Sequence, residues 1–159
     1  MKKNKIFIQI ASYRDPELLP TIQDCINKAK QPKNLVFSIA WQHSPQDTWD
    51  TLSAYTGDKR FKIIDIPYLE SEGVCWARNK LQKQYDEEEY TLQLDSHHRF
   101  EQDWDAELIS VYKKLQKKGF PKPLLTGYIP SYEPTNDPGG RVWEPWVMHF
   151  DRFSPEGVI

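Results

Sequence analysis

The chain has 159 residues, a formal charge of −2 at pH 7 and an aromatic share of 13%. That length suits one domain with a real core, and so small a net charge gives no electrostatic case for nucleic acid or an anionic membrane surface. No stretch approaches the ~20 apolar residues of a membrane span, and Met1-Lys2-Lys3-Asn4-Lys5 leads into a segment too short for a signal peptide, so a soluble, unprocessed, cytoplasmic protein is expected.

Taken in order, the elements alternate between strand and helix. Lys5 to Ile10 is a β-branched apolar run, a buried strand, and it breaks into the loop Ala11-Ser12-Tyr13-Arg14-Asp15-Pro16. Pro16-Glu17 opens a helix with Leu18, Leu19, Ile22, Cys25 and Ile26 at helical spacing, which ends near Lys30 before Gln31-Pro32. Leu35 to Trp41 reads as the second strand, Gln42 to Asp47 as a polar loop, Thr48 to Tyr55 as a short helix and Phe61 to Ile66 as the third strand. Glu70 to about Tyr85 reads as a helix whose apolar face is Val74, Ala77, Leu81 and Tyr85. Arg78 lies beside that stripe, where a guanidinium needs an anionic partner.

The fourth strand, Tyr90 to Leu94, alternates cleanly and ends in Asp95-Ser96-His97-His98. In extended backbone residues two apart share a face, so the Asp95 carboxylate and the His97 imidazole could converge on one divalent cation with open positions. A bare Asp-x-His is more often a polar strand end. From Asp103 a further helix carries Trp104, Leu108, Ile109, Val111, Tyr112 and Leu115 to Gly119. A fifth strand is expected around Leu124 to Tyr128, then a Pro- and Gly-rich loop over Pro130 to Gly140 and an aromatic tail with Trp143, Trp146, Phe150 and Phe153. Cys25 and Cys75 form neither a disulfide framework nor a zinc cluster, and reduced thiols are expected.

Strands separated by helices predict an α/β fold, a mostly parallel sheet with helices on both faces, Rossmann-like, in which ligands bind outside the carboxyl ends of the strands. No glycine-rich phosphate fingerprint follows the first strand. Phosphate recognition would then fall to a metal ion and to Arg14 or Arg78.

Three ordered motifs carry a family resemblance: Ile10-Ala11-Ser12-Tyr13-Arg14-Asp15-Pro16-Glu17-Leu18, Gly73-Val74-Cys75-Trp76-Ala77-Arg78 and Leu92-Gln93-Leu94-Asp95-Ser96-His97. Together they resemble the GlcNAc-transferase family typified by a cytosolic enzyme that glycosylates hydroxyproline. More distantly, the Gly-x-x-x-Ala-Arg helix and Asp-Ser-His are similar to mucin-type GalNAc-transferases and other GT-A enzymes. The resemblance implies a GT-A fold and a metal-dependent transfer of a sugar, GlcNAc first, from a UDP-sugar to a hydroxyl acceptor with retention. It implies that Asp95 and His97 bind Mn²⁺ or Mg²⁺, with Ser96 beside them at the donor. It also implies that Ser12, Tyr13 and Arg14 meet uracil and ribose, and that Arg78 approaches the nucleotide or sugar; Asp95 and Arg78 are the catalytic candidates.

GT-A catalytic domains usually exceed about two hundred residues. Residues 1–159 are therefore expected to be a single GT-A-like domain, shortened at its carboxyl end relative to the family and without the third metal ligand and much of the acceptor site. The alternative is a non-catalytic nucleotide-sugar or glycan-binding module in which the aromatic tail stacks on sugars. The donor and a protein or glycan acceptor are the expected partners; neither nucleic acid nor a membrane span is expected.

Overall fold

The β-branched run at the start of the chain becomes the strand β1, Lys2–Tyr13, and every later strand pairs parallel to a neighbour. This is a computed structural model, and it describes residues 2–49 and 51–144. Contacts divide the chain into two compact units, Met1–Val111 and Tyr112–Ile159.

In the first unit α1 (Leu18–Lys28), β2 (Leu35–His43), β3 (Phe61–Pro67), α2 (Val74–Gln82) and β4 (Glu88–Asp95) follow β1, and α3 (Trp104–Lys117) begins there. The four strands lie in the order β3-β2-β1-β4. β1 and β2 are buried on both faces, which is why they read as near-continuous hydrophobic runs. On one face Ile6, Ile8, Ile10, Leu35, Phe37 and Ile39 pack with Leu18, Ile22 and Cys25 of α1, and Trp104 of α3 joins them. On the other, Ala40 and Ile66 pack with Ala77 and Leu81 of α2. Each fully buried Ile, Leu or Phe on these faces contributes roughly 1.5–3 kcal/mol of transfer free energy. The fold is α/β and Rossmann-like, with helices on both faces as the alternation predicts.

The chain builds outward from β1 to β2 to β3, then returns to place β4 on the other side of β1. The strand order reverses between β1 and β4. In open parallel sheets such a reversal leaves a crevice outside the carboxyl ends, because the two crossovers leave on opposite faces. Ala11 pairs in register with Asp95, so the Ser12 to Asp15 loop and the Asp95 to His97 segment emerge side by side.

Three elements differ from the periodicity. The expected helix over Thr48 to Tyr55 shrinks to one 3₁₀ turn, Ser53–Tyr55, in a stretch of Thr and Ser that bond their own backbone more readily than they propagate a helix. The helix read from Glu70 begins only at Val74. Gly73 has φ +94, a left-handed conformation that interrupts a right-handed helix, and a separate 3₁₀ turn occupies Tyr68–Glu70. Val74 is consequently exposed at the first turn and Tyr85 lies beyond the last, which leaves Ala77 and Leu81 as the buried face.

The third difference is in the second unit, where the expected strand around Leu124 to Tyr128 is irregular and largely exposed. A 3₁₀ turn at Pro134–Asn136 follows, and Arg141 closes it by donating from Nε to Asp137 Oδ1 at 2.5 Å. Trp143 is exposed. Trp146, Phe150 and Phe153 lie outside the described residues. No described helix is long and apolar enough to cross a membrane.

Candidate functional site at the carboxyl edge

The loop after β1 is held open by an unusual backbone turn. Arg14 has φ +48, a left-handed conformation that a residue with a Cβ rarely adopts. Its N–H still donates to the Gln42 carbonyl at 2.8 Å, continuing the β1–β2 ladder by one step. The turn sends the guanidinium to Asp47, to which Nε donates at 2.9 Å and Nη2 at 2.7 Å. Asp47 also accepts the Ser44 N–H, and its side chain is 1% exposed. The Arg14 guanidinium beside it holds the Asp47 carboxyl below the usual carboxylate range. The same guanidinium lies 4.6 Å over the Tyr68 ring, and the exposed Tyr13 meets Tyr68 edge-on at 6.4 Å. Ser12 is fully buried, and its Oγ has no partner among the described residues.

At the end of β4 the chain divides its side chains between two neighbours. Asp95 turns to α2, where Arg78 Nη2 donates to its Oδ1 at 2.9 Å; the Asp95 side chain is 57% exposed. Arg78 is half-buried, and its Nε–H has no partner among the described residues. The strand ends at Asp95, so the extended geometry that would align it with His97 stops there. Ser96 and His97 turn instead to Asp15: Ser96 Oγ donates to its Oδ2 at 2.5 Å, and His97 Nδ1 lies 2.8 Å from the same oxygen. The Glu17 N–H donates to Asp15 Oδ1 at 2.9 Å. Burial pushes the Asp15 carboxyl up, but the bonds from His97, Ser96 and Glu17 outweigh it and hold the group below its ordinary value.

The segment that follows is tied to α1. Thr21 Oγ1 lies within donating reach of the Ser96 and His98 carbonyls, at 2.9 and 3.2 Å, and accepts the His98 N–H. Asp24 accepts the Phe100 N–H at 2.6 Å, Lys28 donates to the Phe100 carbonyl at 2.7 Å, and Arg99 pairs with Glu17 at 2.6 Å. His98 is held by Asp95 through a 3.0 Å contact between its Nδ1 and the backbone carbonyl, and burial pushes its imidazole pKa down.

Tyr13 and Asp95 are the last residues of β1 and β4, Arg14, Ser96 and His97 lie in the loops that follow them, and Arg78 reaches Asp95 from α2, while Ser12 is buried in β1. Three residues that the pattern did not single out join them: Asp15, Asp47 and Gln42. Gln42 donates to the Ser12 carbonyl at 2.9 Å and accepts the Ser71 hydroxyl at 2.6 Å, linking the ends of β1 and β2 to the loop before α2. Only their position at strand ends, inside polar segments, could have marked them. Cys25 is buried among apolar side chains, which pushes its thiol up, whereas Cys75 is exposed.

Among the described residues no group of three His, Cys, Asp or Glu side chains is arranged to hold a metal ion. The pair from the end of β4 nevertheless suits a divalent cation in its donor chemistry. Asp95 offers a carboxylate oxygen beyond the one that Arg78 occupies, and His97, 59% exposed, has no partner among the described residues at Nε2. A hard oxygen and an imidazole nitrogen with solvent at the remaining positions match a site completed by substrate phosphates and water.

Open parallel sheets of this Rossmann-like class bind ligands outside the carboxyl ends of their strands, and it is there that this chain gathers its polar residues. A sequence model of the Glycosyltransferase (GlcNAc) family matches residues 5–60 and 49–159, and the chain belongs to that family. It is a glycosyltransferase, and its family implies a nucleotide-sugar donor and an acceptor. No curated protein and no solved structure matches the chain.

Proposed function

We propose that this protein transfers a sugar, GlcNAc by the family it belongs to, from a UDP-sugar to a hydroxyl acceptor, with a divalent cation held by Asp95 and His97. The observation that carries the reading is the juxtaposition at the reversal between β1 and β4, where the Ser12 to Asp15 loop meets the Asp95 to His97 segment in register. Tyr13 and Arg14 offer an exposed ring and a cation on the β1 side for uracil and ribose, above the buried Ser12. Asp95, Ser96, His97 and Arg78 lie on the β4 side for the diphosphate and sugar.

Arg78 is the group best suited to respond to a donor. Its bond to Asp95 uses one of its five N–H groups, and its buried Nε–H has no partner among the described residues. A phosphate or sugar oxygen that reaches the guanidinium satisfies that donor and competes with Asp95, releasing the carboxylate for the cation. Mn²⁺ or Mg²⁺, when bound, supplies Lewis-acid stabilisation of the charge that grows on the leaving diphosphate. Arg78 adds to that stabilisation as the glycosidic bond breaks. With retention the acceptor oxygen bonds the sugar as the bond to UDP breaks, and the departing diphosphate takes the acceptor proton, so no enzymic general base is assigned.

Calorimetry of UDP and UDP-GlcNAc with and without Mn²⁺ tests the reading. Binding that strengthens with Mn²⁺ is the expected result. Equal affinity in both conditions would remove the cation from the site, and no binding to either ligand would remove the nucleotide sugar.

A further inference from the structure

We propose that Asp15 is the positioning residue of this site, fixing His97 in the one tautomer that presents Nε2 to a cation. The proposal rests on the metal-dependent reading above. Asp15 lies at the start of the turn into α1, 82 residues before His97, and no metal-binding pattern includes it. Its Oδ2 nevertheless takes both Ser96 Oγ at 2.5 Å and His97 Nδ1 at 2.8 Å, while its Oδ1 is anchored by the Glu17 N–H at 2.9 Å.

Asp15 takes the Glu17 N–H at one oxygen and the Ser96 hydroxyl at the other, and a carboxylate held by donors on both oxygens accepts from its next neighbour as well. The nitrogen that faces it must therefore carry the proton. In neutral His97 that places the proton on Nδ1 and the lone pair on Nε2, the nitrogen with no partner among the described residues. Histidine ligands are ordinarily oriented in this way, by a carboxylate or carbonyl on the ring nitrogen opposite the metal. An exposed imidazole without such a partner would divide itself between tautomers and rotamers, with only a part of the population able to bind. The Ser96 bond adds rigidity from the adjacent residue, and Thr21 fixes the backbone on either side of His97 through Ser96 and His98.

Asp15→Asn discriminates between orienting and merely structural roles. The amide keeps the shape and its oxygen still accepts the Glu17 N–H, but its NH₂ takes the place of the oxygen that faces both Ser96 and His97. It donates to Nδ1 and so favours the proton on Nε2, which blocks the metal-facing nitrogen, and the Ser96 hydroxyl turns from donor to acceptor. Two measurements on the full chain read this out. Long-range ¹H–¹⁵N NMR of the metal-free protein at alkaline pH should show the Nδ1–H tautomer in wild type and a shift towards Nε2–H in Asp15→Asn. Mn²⁺ binding, followed by the electron paramagnetic resonance of the free ion in the presence of UDP, should weaken by about 10–100-fold, the usual cost of losing an orienting partner. A variant that melts earlier but keeps its His97 tautomer and its Mn²⁺ affinity would overturn the proposal and leave Asp15 a structural tie. Wild-type protein that binds no Mn²⁺ would overturn the metal-dependent reading and this proposal with it; wild type that binds Mn²⁺ with Nε2–H in the free protein would overturn this proposal alone.

Discussion

Two arginine–aspartate pairs stand at the carboxyl edge, and they are built for different tasks. Arg14, its guanidinium over the Tyr68 ring, meets Asp47 through two hydrogen bonds, and the acceptor is buried and bonded to Ser44 as well. Arg78 meets Asp95 through one, and the acceptor is mostly exposed while the donor keeps an N–H with no partner among the described residues. A bidentate pair with a buried acceptor is costly to break because the partner is left without solvent. A monodentate pair facing water exchanges partners readily. The first pair holds the loop after β1 in its strained turn; the second can hand its groups to a ligand.

Asp95→Ala is expected to have the largest effect on that division. Loss of a ligand should exceed the cost of losing its orienting partner, so Mn²⁺-dependent UDP affinity should fall by about 100-fold or more. Stability should change by less than about 1 kcal/mol, since the pair is exposed; calorimetry and thermal melting together check both halves, and unchanged affinity would sink the assignment. Arg78→Lys keeps the charge and loses the planar fork, so transfer should drop by about tenfold, or ~1.4 kcal/mol in the barrier, with little change in melting temperature. A large loss of stability instead would make Arg78 a structural residue.

Arg14→Ala should act the other way round. The melting temperature should fall by several degrees because Asp47 is left buried without its cation, while UDP affinity weakens only a few-fold and metal preference stays the same. The smallest effect is the pH dependence of this pair. Asp47 has its folded pKa lowered by Arg14, so the folded state binds fewer protons than the unfolded one. The stabilisation is therefore full above about pH 4, the ordinary aspartate value, and fades as pH falls through the lower folded value. The difference in melting temperature between wild type and Asp47→Asn should close as the pH is taken below about 4, and a difference that persists in acid would exclude this electrostatic account.

Much of the edge was legible in the residues. Lys5 to Ile10, Leu35 to Trp41 and Phe61 to Ile66 lie within β1, β2 and β3, and Tyr90 to Leu94 lies within β4, because β-branched and aromatic runs fit a pleated, buried surface. The inward lean of Arg78 followed from its place beside the stripe of α2, and the anionic partner it needs there is Asp95. The start of α2 was misplaced because Glu70, Ser71 and Glu72 tolerate a helix, and only the left-handed turn at Gly73 excludes it. The strand expected near Leu124 failed because a run of apolar residues cannot supply the neighbour that a strand needs for its hydrogen bonds.

The sequence by itself determined the alternation of strands and helices, the parallel α/β class and the chemistry available at each strand end, because periodicity and turn residues act over a few positions. Tertiary structure decided the order β3-β2-β1-β4, and with it that the end of β1 lies beside the end of β4. It also decided that Asp95 faces Arg78 while His97 faces Asp15, contacts that span 17 and 82 residues of chain. Such contacts depend on which strands pair and on where a strand stops, and both are set by competition among distant segments for the same core.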